Sequence, residues 1–143
     1  MREKTLNLLG LMRRASAVAI GETSTGATVR GGKAKLLLVA SDASDNARRR
    51  AESFAAGRSA VIVPLPFTKE EISAHVGVSG CSMAAVTDIG FANALMKSLA
   101  ALSPEEYGDM AERVEARYAK VQRRKGAAAG RRNKSIGKRR NSV

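Results

Sequence analysis

Few residues in this chain have the chemistry for catalysis. His75 is the single histidine and Cys81 the single cysteine. One of each cannot assemble a zinc site, and one cysteine excludes an intramolecular disulfide. A lone histidine beside Val76 reads as a partly buried helix residue, not as a base, and Cys81, next to Gly80 and just before an apolar run, reads as a small buried thiol. Asp42, Asp45 and Asp88 read as helix-capping or turn carboxylates. Gly21 and Gly26 lack the Gly-Lys-Ser/Thr ending of a phosphate-binding loop, and no G-x-G-x-x-G follows a strand. The expectation is a non-enzymatic protein with no metal, no cofactor and no small-molecule substrate.

Charge supplies the chemistry that remains. The last 24 residues hold ten cations, Lys120, Arg123, Arg124, Lys125, Arg131, Arg132, Lys134, Lys138, Arg139 and Arg140, and no acid, so they carry +10 of a net +12. The remaining 15 basic and 13 acidic residues nearly cancel. Charge segregated this way points to a polyanion, bound by counterion release from phosphates. The alternative is a solubilising terminus that binds nothing. Another basic run, Arg48-Arg49-Arg50, lies on a helix whose Ala47 and Ala51 face inward, and a solvated face explains it as well as RNA does. With five aromatics among 143 residues, and Phe54, Phe67 and Phe91 at core-like positions, base stacking on an aromatic platform is not expected.

Helical and strand patterns alternate along the chain. Thr5, Leu8, Leu9 and Met12 mark an amphipathic first helix, and Ala17 to Ile20 a short strand that ends at Gly21. Thr23 to Val29 reads as a poor helix, stopped by Gly31-Gly32. Leu36 to Ala40 is a strand covered on both faces. Ala47, Ala51, Phe54 and Ala55 repeat at helical spacing until Gly57, and Ala60 to Val63 forms another strand closed by Pro64 and Pro66. Thr68-Lys69-Glu70-Glu71 is a capping box that opens a helix with Ile72 and Val76 on one face. Met83 to Val86 reads as a third long strand, and Asp88 caps a helix with Phe91, Leu95 and Leu99. Ser103-Pro104-Glu105-Glu106 opens a last helix whose stripe, Tyr107, Met110, Val114, Tyr118 and Val121, is too narrow to be a core of its own, so it docks on the sandwich or meets a partner. The expected architecture is a three-layer α/β/α sandwich over 1–102 with a mixed, mostly parallel sheet, followed by an amphipathic helix over 103–125 and a basic tail over 126–143, disordered until bound.

The loops between these elements carry a resemblance. Leu9 to Ala15 (Leu-Gly-Leu-Met-Arg-Arg-Ala), the helix beginning at Gly21, the strand Lys35 to Ala40 followed by Ser41-Asp42-Ala43-Ser44, and Gly77-Val78-Ser79 ahead of Met83-Ala84-Ala85-Val86-Thr87-Asp88 together resemble the ribosomal-protein family that binds RNA kink-turns. That family includes large-subunit ribosomal proteins, a box C/D particle core protein and small bacterial relatives. The bacterial members end Val-Thr-Asp-x-Gly-Phe-Ala-Asn, as Val86 to Asn93 does here. The resemblance covers about residues 3–100 and implies an α/β/α sandwich with a mixed sheet. It also implies that RNA is gripped where a helix N-terminus meets the loop before the last long strand, over Gly21, Glu22, Thr23, Ser24, Ala27, Arg30 and Lys33 on one side and Gly77, Val78, Ser79 and Gly80 on the other. In the family, Asn and Glu read the sheared G·A pairs and a Lys meets phosphate. Here Thr23, Ser24 and Ala27 stand at those positions, so bidentate base-edge readout is lost while the helix N-terminus still favours a phosphate.

With Arg13, Arg14, Arg30, Lys33 and the tail (Arg123, Arg124, Lys125, Arg131, Arg132, Lys134, Lys138, Arg139, Arg140) counted as phosphate contacts, the expectation is a protein bound to structured RNA or to the ribosome. The other reading is a protein-interaction module that uses the 107–121 stripe. No stretch approaches the ~20 apolar residues of a membrane span, and the start of the chain lacks a signal-peptide pattern, which points to the cytoplasm.

Overall fold

The computed structural model describes residues 2–141, with side chains through residue 126. Four strands form one sheet: β1 (Val18–Ile20), β2 (Leu36–Val39), β3 (Val61–Pro64) and β4 (Met83–Val86), in the order β1-β4-β2-β3. β2 and β4 are the inner pair, and every residue in both is buried, as continuous apolar runs require when both faces are covered. Val39 and Met83 are partners at one end of this pair, and Leu36 and Val86 at the other.

The sheet is mixed, but it is not mostly parallel. Only β2 and β3 run parallel; β4 is antiparallel to both β1 and β2. Alternation of strands and helices implies parallel pairing only when consecutive strands are neighbours, and here only the β2–α3–β3 unit meets that condition. After β3 the chain goes out along α4 (Lys69–Val76) and returns through residues 77–82, so β4 starts at the edge where β3 ended and runs back between β1 and β2.

Two helices cover one face. α2 (Glu22–Arg30) packs on β1 and β4, α3 (Asp45–Ala55) packs on β2 and β3, and the two touch each other. Their approach needs Gly26, where an added Cβ would lie 2.8 Å from the Phe54 ring. On the other face α1 (Arg2–Arg14) packs against α4 and α5 (Ile89–Leu102), with Leu9, Ile72 and Val76 gathered over Val18, Leu38 and Ala84. The sandwich is therefore three layers deep.

Side chains cap three of these helices. Ser44 Oγ accepts from Ala47 N at 3.1 Å, Thr68 and Glu71 form the reciprocal capping box, and Asp88 Oδ1 accepts from Phe91 N at 3.0 Å. Asp45 lies one residue past the true cap of α3. Asp42 instead reaches across to the first turn of α4, accepting from Lys69 N at 2.8 Å.

α6 spans Pro104–Asn141. Tyr107, Ala111 and Val114 are buried, and the helix packs along α5. Tyr107 Oη donates to Pro64 O, and ten residues later Arg117 Nη1 donates to Ser59 O at 2.7 Å. Ten helical residues rise about 15 Å, close to the span of the strand between those two carbonyls, so α6 runs beside β3 in the opposite direction. The stripe from Tyr107 to Val121 is thus docked within the chain, and its buried part offers no surface to a partner. Where a disordered tail was expected over 126–143, the backbone continues as α6 to Asn141; the side chains beyond residue 126 are outside those described.

Candidate nucleic-acid interface

Strand direction gathers four connecting segments at one end of the sheet. β1, β2 and β3 end there and β4 begins there. α2, α3 and α4 each start from that edge, so their positive dipole ends converge on it.

Gly21 makes the junction. Its N–H donates to Met83 O at 3.1 Å, which ties the start of α2 to the start of β4. Its φ of 92° with ψ of 163° belongs to glycine, and a side chain there would be strained even though nothing lies within 4 Å. Unlike α3, α4 and α5, α2 begins with no side-chain cap. The first-turn amides of a helix have no intrahelical acceptor, so this terminus is chemically suited to an anion. Thr23, Ser24 and Ala27 are exposed on this helix, and Thr28 Oγ1 donates to Ser24 O at 2.8 Å. Glu22 is half-buried and ion-paired with Arg50 of α3.

The loop across from Gly21 has its own structural logic. Gly77 is the left-handed C-cap of α4, φ 74°, and donates to Ser73 O at 2.8 Å. Gly80 also has positive φ, and Cys81 N donates to Ser73 Oγ at 3.2 Å, so the loop is fastened at both ends. Ser79 and Gly80 are exposed, while Val78 is half-buried and packs on the core. A third loop, Ser41 to Ser44, borders the same edge. Arg48 donates from Nη2 to Ser41 O at 2.7 Å and from Nε to Ala43 O at 3.1 Å.

The Arg48 to Arg50 run is therefore not simply a solvated face: Arg48 braces a loop and Arg50 holds Glu22, leaving Arg49 exposed. Sequence spacing could place these arginines on α3, but not the loop carbonyls that Arg48 meets or the Glu22 carboxylate that Arg50 meets.

Other expected site residues lie elsewhere. α2 rises about 13 Å over its nine residues, which carries Arg30 and Lys33 to the opposite edge. Arg30 sits 5.6 Å from the Phe54 ring centre, and its carbonyl accepts from Arg58 at 2.9 Å. Arg13 and Arg14 end α1 and lead into β1 at that same far edge, where Thr87 N meets Ala17 O. The basic residues expected around Gly21 are thus separated from it by the length of the sheet. Among the tail cations, Arg123, Arg124 and Lys125 are exposed on α6; Arg131, Arg132, Lys134, Lys138, Arg139 and Arg140 fall outside the described side chains.

Cys81 and His75 both have partners inside the fold. Cys81 is 2% exposed, burial raises its thiol pKa, and its Sγ donates to Met83 O at 3.6 Å. His75 lies between Glu71 O, 3.0 Å from Nδ1, and the Glu3 carboxylate, 3.6 Å from Nε2. Among the described residues no group of three His, Cys, Asp or Glu is placed to hold a metal ion, and no helix is long and apolar enough to cross a membrane.

No family model matches the chain. It is 34% identical over 91 residues to the RNA-binding protein YlxQ of Enterococcus faecium, a match covering 64% of this chain and 86% of that protein. A solved structure of a protein of unknown function from Bacillus halodurans superposes with a TM-score of 0.59 at 24% identity, over 64% of this chain and 92% of that one. The 15.5 kD RNA-binding protein of Giardia lamblia superposes with a TM-score of 0.54 at 19% identity, over 78% of this chain and 84% of that one. These two likenesses establish a shared fold. Sequence identity over most of the Enterococcus protein goes further: this chain belongs to the YlxQ family.

Proposed function

We propose that this chain binds structured RNA and catalyses no reaction, seating a phosphate of a kinked segment on the N-terminus of α2 and an unpaired base against Val78. The observation that carries this reading is the uncapped Gly21 terminus, joined to the start of β4 and faced by the loop at residues 77–80. Support comes from the YlxQ relative, itself named as an RNA-binding protein. Amides and a helix dipole hold phosphate without reading sequence, and Thr23 and Ser24 offer one hydroxyl each where a carboxamide and a carboxylate would each make two hydrogen bonds. The protein therefore recognises RNA shape more than base identity. The ribosome or another folded RNA in the cytoplasm is the partner that fits.

The test compares affinity for a kink-turn RNA with affinity for an unkinked duplex of the same length. Wild type prefers the kink-turn only weakly. Thr23→Asn combined with Ser24→Glu and Ala27→Lys, all at exposed positions, raises the preference, each restored base contact being worth about 1–3 kcal/mol. Strong selectivity in wild type, or none gained by the triple variant, would overturn the assigned roles. Failure of wild type to bind any RNA would overturn the function.

A further inference from the structure

The far edge of the sheet carries a second concave surface. A groove of about 250 Å³ lies between α6 and the segments that enter β2, β3 and α5. Lys35, Arg117, Lys120 and Arg124 are among its eight lining residues, and none of the eight is acidic. Arg117 is committed to Ser59 O and fixes α6 against the sheet at this point. Lys120 and Arg124 are exposed, and Lys35 is half-buried at the mouth of β2.

The spacing of these cations suits one chemistry. Along α6, positions 117, 120 and 124 step by about 4.5 and 6 Å, the scale of neighbouring phosphates on one strand, and Lys35 faces them from the sheet. Asp88, next to the lining residue Ile89, caps α5 by accepting from Phe91 N. α6 passes Ser59 at Arg117 and continues beyond this edge, so Lys120 and Arg124 add their charge to this groove and not to the Gly21 loop.

We infer that this groove is a second RNA-backbone site, which holds a segment of the same RNA distinct from the one at Gly21, so that the protein clamps two stretches of a folded RNA across its sheet. The inference rests on the RNA-binding function for the identity of the polyanion. Two sites on one rigid body make the second contact intramolecular, which raises affinity for RNAs that present both segments.

Full-length protein is titrated with a structured RNA at several salt concentrations, and the bound RNA is footprinted with hydroxyl radicals. The variant Lys35→Gln, Lys120→Gln, Arg124→Gln keeps Arg117 and is expected to melt as wild type does. Its log-log salt slope should flatten by about 2–3, at 0.7–0.9 per lost phosphate contact. A control that removes the same charge elsewhere, Lys4→Gln, Lys97→Gln, Arg113→Gln, should change the slope by less than one. In the footprint, the groove variant and Val78→Asp should each expose different nucleotides. A groove variant whose slope matches the control, or two variants that expose the same nucleotides, would overturn the second site while leaving RNA binding intact. Absence of RNA binding by wild type would instead overturn the function on which it rests.

Discussion

At the scale of single residues, the side chains that matter are those with an unusual environment. Val78 sits between two positive-φ glycines, half-buried and packed against the core, yet in the loop facing Gly21. Val78→Asp places a negative charge where an RNA base or phosphate would lie, and it gives up part of a small apolar contact. Expected is at least a tenfold loss of RNA affinity with a fall in melting temperature of only a few degrees. A fall of ten degrees or more, with affinity of the folded fraction unchanged, would make Val78 a core residue and nothing else. Thr25 presents the opposite case. It is fully buried on α2, and its Oγ1 has no hydrogen-bond partner among the described residues. An unpaired buried hydroxyl costs about 1–3 kcal/mol relative to an apolar group of the same shape. Thr25→Val keeps the β-branch and removes the hydroxyl, so thermal melting should rise by roughly 3–6 °C at a gain near 1 kcal/mol. A variant less stable than wild type would show that the hydroxyl is satisfied in solution.

At the scale of elements, α6 is held to the sandwich by a few well-placed contacts. Tyr107 is 1% exposed and donates to Pro64 O at the end of β3. Burial, reinforced by the neighbouring Glu106 carboxylate, pushes its phenol pKa up to about 12. The folded state thus retains a proton that the unfolded chain releases near pH 10. Stability from this phenol is complete below pH 10 and declines as pH rises from there toward 12. Tyr107→Phe should cost about 1 kcal/mol at neutral pH from the lost hydrogen bond. The gap between wild type and variant should then narrow above pH 10, followed by melting against pH. A constant gap would mean that the phenol is not protected in the fold. The capping box of α4 works in the other direction. Glu71 has its pKa lowered by the Thr68 backbone N–H and then by Arg2, so its contribution is present above the ordinary glutamate range and is lost as pH falls through the lowered value.

At the scale of the whole molecule, the two proposed contact surfaces lie at opposite ends of the sheet. The Gly21 end carries a helix terminus and two braced loops, while the far end carries the groove lined by Lys35, Lys120 and Arg124. Deletion of residues 120–143 leaves Tyr107, Val114 and Arg117 in place, so the fold should survive with its melting temperature little changed. Wild type should bind RNA with a log-log salt slope of roughly −4 to −7, from five to eight phosphate contacts, and the deletion should flatten it strongly. An unchanged slope would remove the tail from RNA binding, and a large loss of stability would show that it packs on the body.

Local pattern was enough to place most elements. The apolar run at Leu36 to Val39, the capping box at Thr68 to Glu71 and the Asp88 cap all appear where their residues predict, because a strand's burial and a helix's first turn depend on neighbours only a few residues away. Gly21 as the start of α2 and Gly77 as the stop of α4 were legible for the same reason, since each is set by a short local pattern. Other features depended on contacts between distant parts of the chain. That β4 lies between β1 and β2, and runs against both, follows from how α4 and its return loop bring the chain back to the edge it left. The bracing of Ser41 to Ala43 by Arg48, the pairing of Arg50 with Glu22, and the course of α6 along β3 from Pro64 to Ser59 join separate elements. The sequence by itself determined where the strands and most helices begin and which residues are cations; strand direction, a property of the assembled sheet alone, decided that Gly21 and the basic groove stand at opposite ends.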